Sequence, residues 1–185
     1  LLKEFGAGWT RKTTIARFGT IEATKVIEAT EKLYFDREGG FAGTGLKNAE
    51  FVAECSLLDE MIVIFRNGTY RISKIEEKKF IGRGEVLYIN RFRRNDNRTI
   101  YNIIYRQGKR GPWLIKRCSI TGISRDKDYN LISDEEGSRI TYFSANPNGE
   151  AETVRIALKP QPRMRVLTFE KSFSEVPIRG RGAKG

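Results

Sequence analysis

The chain has 185 residues, 39% of them hydrophobic, a formal net charge of +11 and no histidine. That length suits one sizeable domain, or one domain plus a linker. No run of about 18 apolar residues points to a membrane helix, and the opening residues lack a signal-peptide pattern. Without histidine the usual general base and the commonest metal ligand are missing. Two isolated cysteines, Cys55 and Cys118, cannot make a structural zinc site and read as buried thiols suited to a reducing cytosol.

In chain order, residues 1–30 read as a linker of mixed structure, with the first strand of the domain as the alternative. Leu1–Gly6 resembles the tail of a helix ended by Gly6 and Gly8, and Arg11-Lys-Thr-Thr-Ile15 is a short basic stretch. Hairpin phrases begin at Glu31. Leu33-Tyr-Phe35 leads through Asp36–Gly40 to Phe41. Met61–Phe65 runs into Asn67-Gly68, a pair that suits a two-residue turn with positive φ angles. The exit, Tyr70–Lys74, alternates, with Tyr70 and Ile72 on one face. Val86–Phe92 reads as a strand after a Gly-Arg-Gly turn, and Arg91, Arg93, Arg94 and Arg98 then cluster around the turn-forming Asn95-Asp-Asn97.

A third phrase joins Thr99–Tyr105 to Trp113–Cys118 through Gly108, and a fourth joins Arg139–Phe143 to Glu152–Leu158 through Asn146-Pro-Asn-Gly149. Ile62, Ile64, Ile103 and Trp113 read as core. Thr121–Tyr129 reads as a polar excursion and Asp134-Glu-Glu136 as a solvated loop. The turn glycines at 40, 68, 108 and 149 recur at intervals of 28, 40 and 41 residues. Hairpins repeating near that length predict an all-β, blade-type array of about four blades. Unrelated hairpins in a barrel or sandwich are the alternative.

The positive charge is segmental. Lys79–Arg117 carries eleven basic and two acidic residues, and Lys159–Gly185 seven and two. Asp126–Glu136 holds five acids against one lysine. Such segregation favours a polyanionic partner, most simply nucleic acid. The closing Arg179-Gly-Arg-Gly-Ala-Lys-Gly185 has a physical use. Glycines let backbone amides approach a phosphate, while Arg and Lys neutralise it. No Walker phosphate loop is present.

These residues resemble a known family. Arg179–Gly185 is similar to the basic Gln-Arg-Arg-Gly-Gly-Lys-Gly box of the gyrase A C-terminal domain. The hairpin phrases, such as Ile62–Ser73, resemble the blade phrase of that domain and of its topoisomerase IV counterpart, and Phe5-Gly with Arg11–Ile15 looks like the connector from the cleavage core. The resemblance implies a β-pinwheel, a disc of four-stranded blades that exchange strands, over 31–185, preceded by a connector over 1–30. Closure of the disc is expected to draw on residues beyond 185. It also implies non-sequence-specific binding and bending or wrapping of duplex DNA, presented to the cleavage core of a type II topoisomerase.

The implied partners are duplex DNA and the rest of the topoisomerase A subunit, with the ATPase B subunit reached through it. The implied location is the bacterial cytoplasm, at the nucleoid. No catalytic residue, metal or cofactor is expected within this chain, because the family's cleaving tyrosine and its metal and ATP sites belong to other parts. Arg179 and Gly180 stand where the box has Gln and Arg, Ala183 replaces a Gly, and the box comes last rather than in the first blade, which leans towards a topoisomerase IV-like role. The candidate DNA contacts are Arg179, Arg181 and Lys184, then Arg83, Arg91, Arg93, Arg94, Lys109, Arg110, Lys116 and Arg117. A propeller-like scaffold for an acidic protein is the rival reading.

Overall fold

The structure is a computed structural model that describes residues 31–121, 124–160, 162 and 164–185. The expected connector over 1–30 lies outside them. The described chain is built from strands, and one unit of topology recurs. The first hairpin pairs β1 (Glu31–Asp36) with β2 (Phe41–Gly43), and β3 (Glu50–Cys55) adds to β1. The second pairs β4 (Glu60–Phe65) with β5 (Thr69–Lys74). The chain then returns one short strand, β6 (Lys79–Phe80), to β2 of the first hairpin, before β7 (Val86–Phe92) adds to β4.

The third hairpin, β8 (Ile100–Arg106) with β9 (Trp113–Ser119), is followed by β10 (Asp128–Asn130), which returns to β5, and by β11 (Arg139–Asn146), which adds to β8. A fourth hairpin, β12 (Thr153–Ala157) with β13 (Thr168–Ser172), passes through a 3-10 turn at Phe173–Glu175 and returns β14 (Ile178–Gly180) to β9. Three four-stranded blades result, β3-β1-β2-β6, β10-β5-β4-β7 and β11-β8-β9-β14, with a two-stranded fourth sheet. Each complete blade contains one strand donated by the next repeat, which is the pinwheel architecture. Among the described residues all pairings are antiparallel except β14 with β9.

The fourth phrase is paired differently from its sequence reading. The turn at Asn146–Gly149 forms, with Gly149 N–H donating to Asn146 O at 3.0 Å. Its flanks diverge, however: β11 pairs with β8, and β12 with β13. The Asn67-Gly68 turn also differs in type. Gly68 N–H donates to Phe65 O at 2.9 Å, and within this turn only Gly68 takes positive φ, at 87°. The loop is therefore Arg66-Asn67-Gly68, a turn closed by a left-handed glycine rather than a two-residue primed turn. Asn67 Oδ1 accepts from Thr69 N–H at 3.0 Å and from Thr69 Oγ1 at 2.8 Å. A Cβ on Gly68 would overlap the Ile132 side chain.

The core follows from strand alternation on the middle blade. Met61 and Val63 of β4 pack with Leu33, Phe35, Ala42 and Cys55 of the first blade. Ile62 and Ile64 point the other way and join Tyr101, Ile103, Tyr105 and Cys118 of the third. The middle blade is thus buried on both faces, so β4 reads as a continuous apolar run. Burial of each such aliphatic side chain contributes about 1.5–3 kcal/mol. Trp113 is not core: it is 54% exposed at the start of β9, with the Arg106 guanidinium 5.7 Å from its ring centroid. Both cysteines are buried free thiols.

Candidate nucleic-acid interface

The eleven predicted cations fall into three groups. Lys116 and Arg117 lie inside the protein, 3% and 7% exposed. Successive residues of β9 face opposite sides, so the two side chains diverge. Lys116 Nζ donates to Leu131 O at 2.7 Å and to Arg181 O. Burial without a carboxylate partner holds its pKa below the ordinary lysine value. Arg117 Nε donates to Asn102 Oδ1 at 3.0 Å, and its terminal nitrogens donate to Phe173 O at 3.3 Å and Gly149 O at 3.0 Å. Asn102 in turn donates to Glu152 Oε1 at 3.0 Å. This polar network joins the third blade to the fourth sheet. These two cations, expected at the DNA surface, are structural: both faces of a central strand are covered, and backbone carbonyls take up the charge.

A second group is engaged at the surface. Arg94 grips the buried Glu60 with two bonds of 2.8 and 2.7 Å, and Arg125 binds the same carboxylate. Bonds from Arg94, then Arg125, hold the Glu60 carboxyl below its ordinary value against the opposing effect of burial. Arg91 Nε lies 3.3 Å from Asp59 Oδ2, and its terminal nitrogen donates to Glu54 O at 3.4 Å. Lys109 pairs with exposed Glu136 at 2.6 Å. Arg181 donates to Tyr70 Oη at 2.8 Å, and its guanidinium lies 4.8 Å from the Tyr129 ring centroid. It clasps the tail to the middle blade.

The third group is exposed without an acid partner among the described residues: Arg83, Arg93, Arg110, Arg179 and Lys184. Arg98, absent from the candidates although it sits in the same sequence cluster, joins them. Arg179 and Lys184 flank a turn closed by Ala183 N–H to Gly180 O at 3.0 Å. No described atom lies within 4 Å of a Cβ built on Gly180 or Gly182, so the fold itself does not require glycine there. Arg93 and Arg98 line a cleft of about 710 Å³ at the β7–β8 connector. Among the described residues no acidic, cysteine or histidine cluster has metal-binding geometry, and no helix is long and apolar enough to cross a membrane.

An all-β array of strand-exchanging blades is a β-pinwheel, and this one carries cations without an acid partner among the described residues on its connectors and tail. Residues 32–185 match the model of the topoisomerase C-terminal domain of Bacteroidota. The chain belongs to that family. It is also similar to the A subunit of DNA topoisomerase 4 from Borreliella burgdorferi (strain ATCC 35210 / DSM 4680 / CIP 102532 / B31), at 30% identity over 147 residues, which cover 80% of this chain and 23% of that protein. The chain thus spans about a quarter of the curated relative it matches. No solved structure matches.

Proposed function

We propose that this domain binds and bends duplex DNA without reading its sequence, and presents it to the cleavage core of a type II topoisomerase A subunit. The observation that carries this reading is the set of exposed cations on blade connectors and tail, with no acid partner among the described residues. They replace counterions along the DNA backbone, so affinity falls with salt at a log-log slope of about −0.9 per phosphate neutralised. Among the described residues no α-helix is available to enter the major groove, so base readout plays little part. Bending a short site costs on the order of 1–6 kcal/mol, offset by further phosphate contacts.

The domain does no chemistry itself. DNA cleavage and ATP hydrolysis belong to the B subunit together with the rest of the A subunit, its partners at the nucleoid in the cytoplasm. The altered tail box and the similarity to a topoisomerase IV protein both favour decatenation over gyrase-type supercoiling. Ligation of nicked circles at low salt, with gel retardation in parallel, tests this. Retardation without a linking-number shift is expected. A steady shift would move the assignment to gyrase-type wrapping, and absence of retardation would overturn DNA binding.

A further inference from the structure

We propose that the cleft at the β7–β8 connector is a clamp for the phosphodiester backbone of duplex DNA, with Arg93 and Arg98 as its two gripping cations. The inference rests on the DNA-binding reading above and assigns the residues of one grip. The cleft, about 710 Å³, falls within the size range of ligand sites. Its lining is wrong for an apolar small molecule: four arginines and several asparagines share it, with Tyr88 and Tyr101 behind them.

The four arginines have separate duties. Arg91 and Arg94 bind Asp59 and Glu60 and so fasten the connector to the base of the second hairpin. Arg93 and Arg98 make no side-chain bond to a described residue and stand exposed on either side of Asp96. Asp96, the one acid between them, is turned into the loop. Its Oδ1 accepts from Arg98 N–H at 2.9 Å and its Oδ2 from Thr99 Oγ1 at 2.7 Å. Partial burial pushes its pKa up, but these bonds outweigh that and hold it below the ordinary value. Asn95, left-handed at φ 58°, donates its N–H to Thr121 O at 3.0 Å and pins the turn to the chain leaving β9.

The loop is therefore fixed from both blades before any ligand arrives. Its own acid is capped, and two planar guanidinium groups remain free. Each can take a phosphate by two parallel bonds, at little cost in ordering. Glu54, exposed on β3, also lines the cleft, so the two arginines must outweigh one carboxylate in holding a phosphate.

The test is gel retardation of a 30-base-pair duplex over a salt series by R93A/R98A, R179A/K184A and R155A. Each phosphate-contacting cation removed lowers the salt slope by about 1, so R93A/R98A should flatten it by about 2. R155A, on β12, should leave it unchanged. The lysine pair R93K/R98K should restore the slope while binding more weakly than wild type. Equal slope and affinity for R93A/R98A and wild type, with R179A/K184A impaired, would overturn the clamp and leave DNA binding intact. Failure of the wild type to retard the duplex would overturn the DNA reading itself. Melting temperatures equal to wild type would exclude misfolding, since neither side chain bonds to a described residue.

Discussion

Lys116 and Arg117 are neighbours on β9, yet each stitches a different junction. Lys116 reaches Leu131 and the tail on the side of the second blade, and Arg117 reaches Gly149 and Phe173 on the side of the fourth sheet. The two junctions of the third blade are built from different materials. Towards the second blade an aliphatic and tyrosine cluster surrounds one buried ammonium. Towards the fourth sheet a buried guanidinium is hydrogen-bonded to an amide and to backbone carbonyls. A buried charge bonded in this way contributes little net energy against an apolar replacement, but its removal strands several acceptors.

Arg117→Ala should therefore destabilise the domain by about 2–4 kcal/mol. Urea unfolding would read this as a lower midpoint. The salt slope of DNA binding, measured where the variant is folded, should stay at the wild-type value. A shallower slope would place Arg117 at the DNA surface instead.

Glu60 sets an acid limit on stability. Its folded-state pKa is lowered, first by bonds from Arg94. Such a group contributes stability that is fully present above its unfolded pKa and lost as pH falls through the folded one. The domain should lose stability from the ordinary glutamate range downward. Glu60→Gln should remove that part of the acid dependence and cost about 1–2 kcal/mol at neutral pH, because both arginines are about half exposed and regain water. Thermal melts from pH 7 to 3 on both proteins test this.

Two glycines should respond oppositely. Gly68→Ala forces a Cβ into Ile132 at φ 87° and should cost at least about 1–3 kcal/mol. Gly182→Ala meets open space and should leave the melting temperature unchanged. If a phosphate lies against the tail backbone, Gly182→Ala should nonetheless weaken DNA binding. Unchanged affinity would show that only the tail's side chains matter.

Burial pushes the Cys118 thiol up to about 11 and raises that of Cys55 too. At pH 8 only about a thousandth of Cys118 would be thiolate. A thiol reagent should leave both cysteines unmodified in the native protein and label two on unfolding. Rapid labelling of one under native conditions would contradict its placement.

Much of the fold is legible in the chain. Gly40, Gly68, Gly108 and Gly149 all take positive φ, as turn glycines should; β9 departs from its apolar pattern, exposing Trp113 and burying Lys116 and Arg117, while β4, β5, β7 and β8 follow theirs. The donated strands do not, because β6 has two residues and β10 and β14 three each, too short for a period to register. The Asn146–Gly149 turn misleads for a related reason: a genuine turn separates strands that join different sheets. The site is legible only as a basic cluster. Which arginine finds a carboxylate is set by residues distant in sequence, as when Arg94 meets Glu60, 34 positions earlier. Lys116 and Arg117 sit in the same kind of basic text as Arg93, and only the covering of β9 on both faces separates them.

Strand donation also fixes an order of completion during synthesis. Arg71 of the second hairpin meets its partner Asp128 57 residues later, and Tyr70 receives Arg181 after 111. Each hairpin can close as it leaves the ribosome, but its blade stays one strand short until the following repeat has been made. Contacts of that range fold slowly and leave open edges meanwhile. Deleting a single repeat would accordingly damage two blades, its own and the one before it.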